Sequence, residues 1–144
     1  MRLLVAFDGS EGSRAALREA GVLAAETGAS VVLLRVVNPL LDAADVVAPT
    51  TEAAMTVVVQ RERAALAAVL AASGLDPART ETEVVECGRN EDVAEAIERV
   101  AVRQNATMIV ISSRRAVGMV GMVLGSVTQH VLRHAPCPVL VVRD

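Results

Sequence analysis

A Gly-Ser step opens the last helical segment of the sequence, and this pair is suited to hold phosphate. Gly125 and Ser126 precede an amphipathic stretch that ends at His134. The start of a helix presents backbone N–H groups, here a serine hydroxyl, and the positive end of the helix dipole, which together favour an anion. The same two residues also suit a helix start without any ligand, so spacing alone leaves both interpretations open.

Charged residues follow two of the apolar runs. Asp8 begins an Asp-Gly-Ser turn, where its carboxylate can cap the turn or face a ligand. Arg114 and Arg115 follow the fourth run, and a guanidinium can bind a phosphate group.

Three other sets of residues do not indicate catalysis. His130 and His134 share a helix face, a spacing that can hold a metal, but no acidic residue follows them in a zinc-protease pattern. We therefore expect ordinary helix histidines and no metal site. Ser10 and Ser126 lack a base in triad order, so we expect no enzyme activity. The cysteines, Cys87 and Cys137, stand in apolar surroundings, and we expect reduced thiols in a cytoplasmic protein.

Short Val, Leu and Ile runs alternate with segments of helical period and must position these residues. Strands are predicted at 3–7, 31–37, 80–87, 107–111 and 138–142, and helices at 13–27, 52–73, 90–104 and 126–134. Asn90 is the predicted cap of the third helix, with Glu91 and Asp92 in its first turn. Buried strands separated by helices predict a doubly wound α/β protein with a parallel sheet, and the less apolar third strand predicts a sheet edge. Ligands of such sheets bind outside the carboxyl ends of the strands.

Composition excludes several functions. The 144 residues suit one domain, 1–144, with a net charge of −3, which disfavours general binding of nucleic acid or of an anionic membrane. The only aromatic of the Phe, Tyr and Trp types is Phe7, and all fourteen basic residues are arginine, so lysine-dependent chemistry is excluded. Apolar stretches fall short of the roughly 20 residues of a membrane span. Asp8 also interrupts the first apolar run too early for a secretion signal.

Four segments resemble the universal stress protein family, and the resemblance covers essentially the whole chain. The segments are 5–10 (VAFDGS), 33–37 (LLRVV), 124–128 (LGSVT) and 135–142 (APCPVLVV). The resemblance implies a five-stranded parallel sheet of order 3-2-1-4-5 with four helices. It also implies a homodimer formed by pairing of the last strand, Val139, Leu140, Val141 and Val142.

Many members of that family bind ATP through the pattern G-x2-G-x9-G-[ST], and this chain departs from it. Gly125 and Ser126 match the closing pair, but the two earlier glycine positions hold Ser112 and Arg115. Gly118 and Gly121 lie too close to Gly125 to be those glycines. Glycine serves where backbone approaches a ligand closely or takes a positive φ, so we expect modest strain at Ser112 and an obstructed crevice at Arg115.

At the other binding positions that the resemblance implies, this chain has residues that match the family pattern. Asp8 matches an acidic residue that faces the ribose or metal-bound phosphates, Val36 one that packs on adenine, and Ile111 the residue before the first glycine position. Ser126, Val127 and Thr128 match the stretch whose amides and hydroxyls hold phosphate. The candidate site is therefore Asp8, Val36, Ile111, Ser112, Arg115, Gly125, Ser126, Val127 and Thr128.

Three functions remain open. The first is a non-enzymatic, dimeric stress-response module with a degenerate site for ATP or another adenine nucleotide with Mg²⁺. The second is an ATP- or cAMP-binding switch with weak ATP hydrolysis, in which Arg115 replaces the glycine contacts to phosphate. The third is an interaction protein that docks a partner through the loop 117–124.

Overall fold

The computed structural model describes residues 1–39, 52–113 and 124–143, and five strands alternate there with four α-helices. Arg115 and most of the loop 117–124 lie outside these ranges. A short 3-10 turn, Pro77–Arg79, precedes the third strand. The elements are β1 (Arg2–Ala6), α1 (Glu11–Thr27), β2 (Ser30–Val37), α2 (Glu52–Ala72), β3 (Thr80–Glu86), α3 (Val93–Arg103), β4 (Met108–Ser112), α4 (Ser126–His134) and β5 (Val139–Val142).

The five strands form one parallel sheet of order β3-β2-β1-β4-β5. The predicted fold class, strand order and edge position of β3 are therefore confirmed. Leu4 of β1 pairs with Val32 of β2 on one side and with Ile109 of β4 on the other. The direction of winding reverses between β1 and β4, and a crevice forms at such a point in doubly wound sheets.

Alternate residues of the strands face two separate apolar cores, because successive side chains of a strand point to opposite faces. Leu3 and Leu33 pack with α1 and α2 on one face, where Ala16 and Leu66 are buried. The other face is covered by α3 and α4, and the apolar residues buried there are Leu4, Val32, Val36, Ala96, Ile97, Val100, Ile109, Ile111 and Val131, among others. Layers on both sides explain why β1, β2 and β4 are continuous apolar runs.

The cap of α3 differs from the prediction. Asp92, not Asn90, begins this helix: its Oδ1 accepts from the Glu95 amide at 2.8 Å, and Glu95 Oε2 accepts from the Asp92 amide at 3.0 Å. Asn90 has a φ of 70° and therefore belongs to the preceding turn. An N-cap needs extended backbone, which Asp92 has, with φ −90° and ψ 173°.

Several strand ends differ from the prediction by one residue. Phe7 lies beyond β1, although its amide still donates to the Leu34 carbonyl at 2.8 Å. Ser112, which the sequence assigned to a loop, is the last residue of β4. Cys87 is buried and Cys137 is partly buried, and neither forms a disulfide within the described part of the chain. No helix among the described residues has the length and apolar character needed to cross a membrane.

Candidate nucleotide-binding cleft

A cavity of about 370 Å³ opens at the carboxyl ends of β1, β2 and β4. It lies where the sheet reverses its winding, the position expected for a ligand. α3 and the N-terminus of α4 complete its walls. The lining residues are Ala6, Phe7, Asp8, Ser13, Leu34, Arg35, Val36, Asn38, Val93, Ile97, Ile111, Ser112, Gly125, Ser126, Val127 and Thr128.

All candidate site residues that the structure describes line this one cavity, although they come from four separate parts of the chain. They are Asp8, Val36, Ile111, Ser112, Gly125, Ser126, Val127 and Thr128. Arg115 falls outside the described residues. The structure thus brings the predicted residues together, while their part in binding stays a prediction.

The first turn of α4 borders the cavity. Gly125 is the N-cap, and in the described ranges no side chain caps this helix. The first intrahelical bond runs from the Gln129 amide to the Gly125 carbonyl at 3.0 Å. The earlier amides and the exposed Ser126 hydroxyl can therefore meet an anion at the positive end of the helix.

The Thr128 hydroxyl has a different role from the one the resemblance implied. This side chain is 3% exposed, and its Oγ1 donates to the Ser112 carbonyl oxygen at 2.9 Å. A hydroxyl has one hydrogen to donate, and a phosphate oxygen can only accept. Thr128 can therefore contribute its backbone amide to a phosphate, while its hydroxyl fastens α4 to β4.

The expectation of strain at Ser112 is wrong. Ser112 pairs with Val142 as regular parallel strand. Within the described ranges the non-glycine residues of positive φ are Asn90 and Asn105. A serine side chain is therefore compatible with the backbone at position 112, and the departure from the family pattern has no conformational cost there.

Apolar side chains form another part of the cavity wall. Val36 and Ile111 are each 5% exposed, and Ile97 of α3 adjoins them in the same core. A flat, largely apolar ring such as a purine base is a suitable ligand for a wall of this kind. Val36 and Ile111 were predicted from the sequence, whereas Ile97 and Val93 were not.

Asp8 fulfils the structural role that the sequence left open and also borders the cavity. Its Oδ1 accepts from the Ser10 amide at 3.0 Å, and Ser10 in turn caps α1 through the Ser13 amide. Asp8 is exposed. A carboxylate in this position can accept hydrogen bonds from a ribose or bind a metal that accompanies phosphates.

Sequence reasoning missed Arg35, which brings positive charge to the cavity. Its Nε lies 3.3 Å from Glu62 Oε2 of α2, and its Nη1 donates to the Val36 carbonyl at 3.1 Å. The signal was an arginine inside an otherwise apolar strand, next to a predicted site residue. Asn38, which follows β2, also lines the cavity.

A parallel sheet of this order, with a cleft at its reversal point, defines the class of doubly wound, Rossmann-like α/β proteins. The model of the universal stress protein family matches residues 1–143, and the chain belongs to this family.

Known proteins of similar sequence and structure bear the same family name. A curated relative from Thermus aquaticus, "Universal stress protein in QAH/OAS sulfhydrylase 3'region", is 33% identical over 142 residues, which are 98% of this chain and 97% of the relative. A crystal structure of a universal stress family protein from Burkholderia pseudomallei has a TM-score of 0.70 and 30% identity, covering 98% of this chain and 94% of that one. The universal stress protein from Archaeoglobus fulgidus in complex with dAMP has a TM-score of 0.66 and 22% identity, covering 98% and 96% of the two chains.

Proposed function

We propose that this protein is a non-catalytic module that binds an adenine nucleotide in the cleft and binds ATP weakly. The base would pack on Val36 and Ile111, and the first phosphate would meet the amides of Ser126 and Val127. Arg35 and Asp8 would contact the ribose or the phosphate from the β2 and β1 sides. We include a cytoplasmic location in the proposal because neither cysteine forms a disulfide in the described residues.

One observation supports this proposal above the others: a single cavity joins an apolar wall to a helix N-terminus that no side chain of the described residues caps. The two halves of that cavity match the two halves of a nucleoside monophosphate. Its volume of about 370 Å³ lies in the range typical of small-molecule sites. The universal stress protein from Archaeoglobus fulgidus, which has the same fold, is known in complex with dAMP.

Weak ATP binding follows from the segment that would receive the second and third phosphates. The family pattern has glycines at positions 112 and 115, where this chain has Ser112 and Arg115. Because Ser112 is unstrained in β4, we attribute the weakness to Arg115. A long side chain there would occupy space that the family pattern leaves to the phosphate tail.

Calorimetric titration of the purified protein with AMP, cyclic AMP and Mg-ATP tests the proposal. We expect saturable binding of a monophosphate and binding of Mg-ATP that is weaker by roughly 10-fold or more, about 1.4 kcal/mol. Arg115→Gly should strengthen Mg-ATP binding and leave AMP binding nearly unchanged. Arg114→Gly is the matched control, since it removes an adjacent guanidinium at a position outside the family pattern.

Other results would select the remaining functions. Tight Mg-ATP binding that Arg115→Ala abolishes would support the nucleotide switch, in which the guanidinium grips phosphate. Slow formation of ADP from the bound ATP would then show that this switch also hydrolyses ATP weakly. Binding of none of the three nucleotides would overturn the proposal and favour an interaction protein that uses the loop 117–124.

We further propose a homodimer formed by pairing of β5 with its copy. β5 is the terminal strand of the sheet, and Val139, Leu140 and Val141 are only partly buried. The Ile109 amide donates to the Pro138 carbonyl and the Ser113 amide to the Val142 carbonyl. Even-numbered residues therefore face β4, and the backbone groups of Val139 and Val141 face outward, available to a second copy.

Analytical ultracentrifugation tests this assembly. Val141→Pro removes an outward amide without touching the ladder to β4, so we expect the dimer to dissociate and the monomer to stay folded. Val141→Thr keeps the amide and the side-chain shape and should remain dimeric. A monomeric wild-type protein, or a Val141→Pro protein that still dimerises, would contradict the proposal.

A further inference from the structure

Glu98, His130 and His134 bring three metal-ligating groups together outside the cleft. Glu98 lies on α3, and the two histidines lie on α4. One ligand atom from each residue lies within 4.8 Å of the other two. None of these residues lines the nucleotide cavity. The sequence showed the histidine pair, but the third group comes from a neighbouring helix that only the fold brings near.

The Nδ1 atom of each histidine faces an oxygen atom that can accept a hydrogen bond. His134 Nδ1 lies 3.1 Å from the His130 carbonyl oxygen. A carbonyl can only accept, so the hydrogen resides on Nδ1 and the lone pair of the neutral ring resides on Nε2. His130 Nδ1 lies 3.5 Å from Asp92 Oδ2, longer than a normal hydrogen bond, and an N–H directed at this carboxylate leaves Nε2 for a ligand. Metal-binding histidines regularly donate their second N–H to a carbonyl or a carboxylate in this way.

Glu98 supplies a carboxylate oxygen that accepts no hydrogen bond from the described residues. Its Oε1 is buried, has no hydrogen-bond donor among the described residues, and lies 3.8 Å from His130 Nε2. A buried oxygen without a donor is unfavourable, and a cation would satisfy it. The ligand edges of a tetrahedral zinc site with bonds of about 2.05 Å are about 3.3 Å long, so a small side-chain movement closes this one.

We propose that Glu98, His130 and His134 form a site for a divalent transition-metal ion of the Zn²⁺ type. Two imidazole nitrogens and one carboxylate oxygen are a ligand set that Zn²⁺ takes with water in the fourth position. The side chain of His130 is 29% exposed and that of Glu98 is 18% exposed, while His134 lies at the surface. The ion therefore has an open route from solvent. It would clamp α3 to α4, and this role does not depend on nucleotide binding.

Titration of the full chain with Zn²⁺ near neutral pH, by calorimetry and by thermal unfolding, tests the site. We expect one ion per chain and a higher unfolding temperature in its presence. His134→Gln, at an exposed position, should weaken binding by roughly 100-fold or more, and Asp92→Ser, which keeps the helix cap, by about 10-fold. Arg133→Gln alters the adjacent surface residue and should bind as the wild type does.

Two results would overturn the site. The first is the absence of saturable Zn²⁺ binding in the wild type. The second is binding that His134→Gln and Glu98→Gln leave unchanged but alkylation of Cys87 and Cys137 removes, which would assign the ion to the thiols. Because these readouts involve no nucleotide, they remain informative whether or not the cleft binds one.

Discussion

The Thr128 hydroxyl donates a 2.9 Å hydrogen bond to the Ser112 carbonyl oxygen and so joins the first turn of α4 to the end of β4. Ser112 stands at the first glycine position of the family's phosphate-binding pattern, and Thr128 lies two residues after its last position, Ser126. Both line the cavity. The bond therefore sets the position of the helix N-terminus, and hence of its amides, relative to the apolar wall.

Thr128→Val should destabilise the protein by about 1–2 kcal/mol, because the near-identical shape keeps the packing but a buried acceptor loses its donor. Thr128→Ser retains the hydroxyl and should cost less. Urea unfolding monitored by circular dichroism measures both free energies. Equal stability of Thr128→Val and wild type would show that the bond contributes nothing.

Ser112→Gly tests whether the first missing glycine matters for ATP. Since Ser112 takes ordinary strand backbone, glycine there should relieve no strain and should destabilise the fold by about 0.5–1 kcal/mol. We expect Mg-ATP affinity to stay at the wild-type value. The comparison variant is Arg115→Gly. Recovery of ATP binding by Ser112→Gly alone would show that the residue at position 112, and not Arg115, causes the weak binding of ATP.

The cap of α3 gives a direct comparison of two neighbouring polar residues. Asp92→Ala removes the carboxylate that accepts from the Glu95 amide, although the amide of residue 92 can still donate to Glu95 Oε2, and it should lower the free energy of unfolding by about 1 kcal/mol. Asn90→Gly should be neutral or slightly stabilising, because glycine adopts the observed φ of 70° without strain. Thermal unfolding measures both. A larger loss of stability from Asn90→Gly than from Asp92→Ala would indicate that Asn90 caps the helix after all.

The sequence predicted the fold well because the apolar periods of strands and helices are local signals. α4 was predicted with its observed bounds, Ser126 to His134, and β3 was recognised as an edge from its polar residues. The cap of α3 was missed because Asn90 and Asp92 are both good caps, and only the backbone angles distinguish them. Pattern alone does not give those angles.

The sequence predicted those residues of the candidate site that belong to the family motif. Motif residues mark the cleft, but Arg35 and Ile97 enter it through the packing of β2 and α3. Glu98 meets His130 for the same reason, since contacts between helices distant in sequence arise from tertiary structure. The role of the Thr128 hydroxyl likewise depends on where β4 ends.

The ion pair between Glu91 and Arg99 should make stability depend on acid pH. Arg99 donates to both carboxylate oxygens at 2.9 Å, and the Gly88 amide donates to Oε1 at 3.0 Å. The guanidinium first, and then that amide, lower the pKa of Glu91 from 4.5 to about 2. Folding therefore favours the ionised form, so the stabilisation is complete above about pH 4.5 and is lost as the pH falls towards 2.

Arg99 is 46% exposed, and solvent screening reduces the contribution of the Glu91–Arg99 ion pair to about 1 kcal/mol. We expect Glu91→Gln to be less stable than wild type by that amount at neutral pH, with the difference shrinking through this window in urea titrations at a series of pH values. The control is Glu26→Gln, an exposed change on α1; a difference for Glu91→Gln that does not vary with pH would show that the ion pair is not its cause.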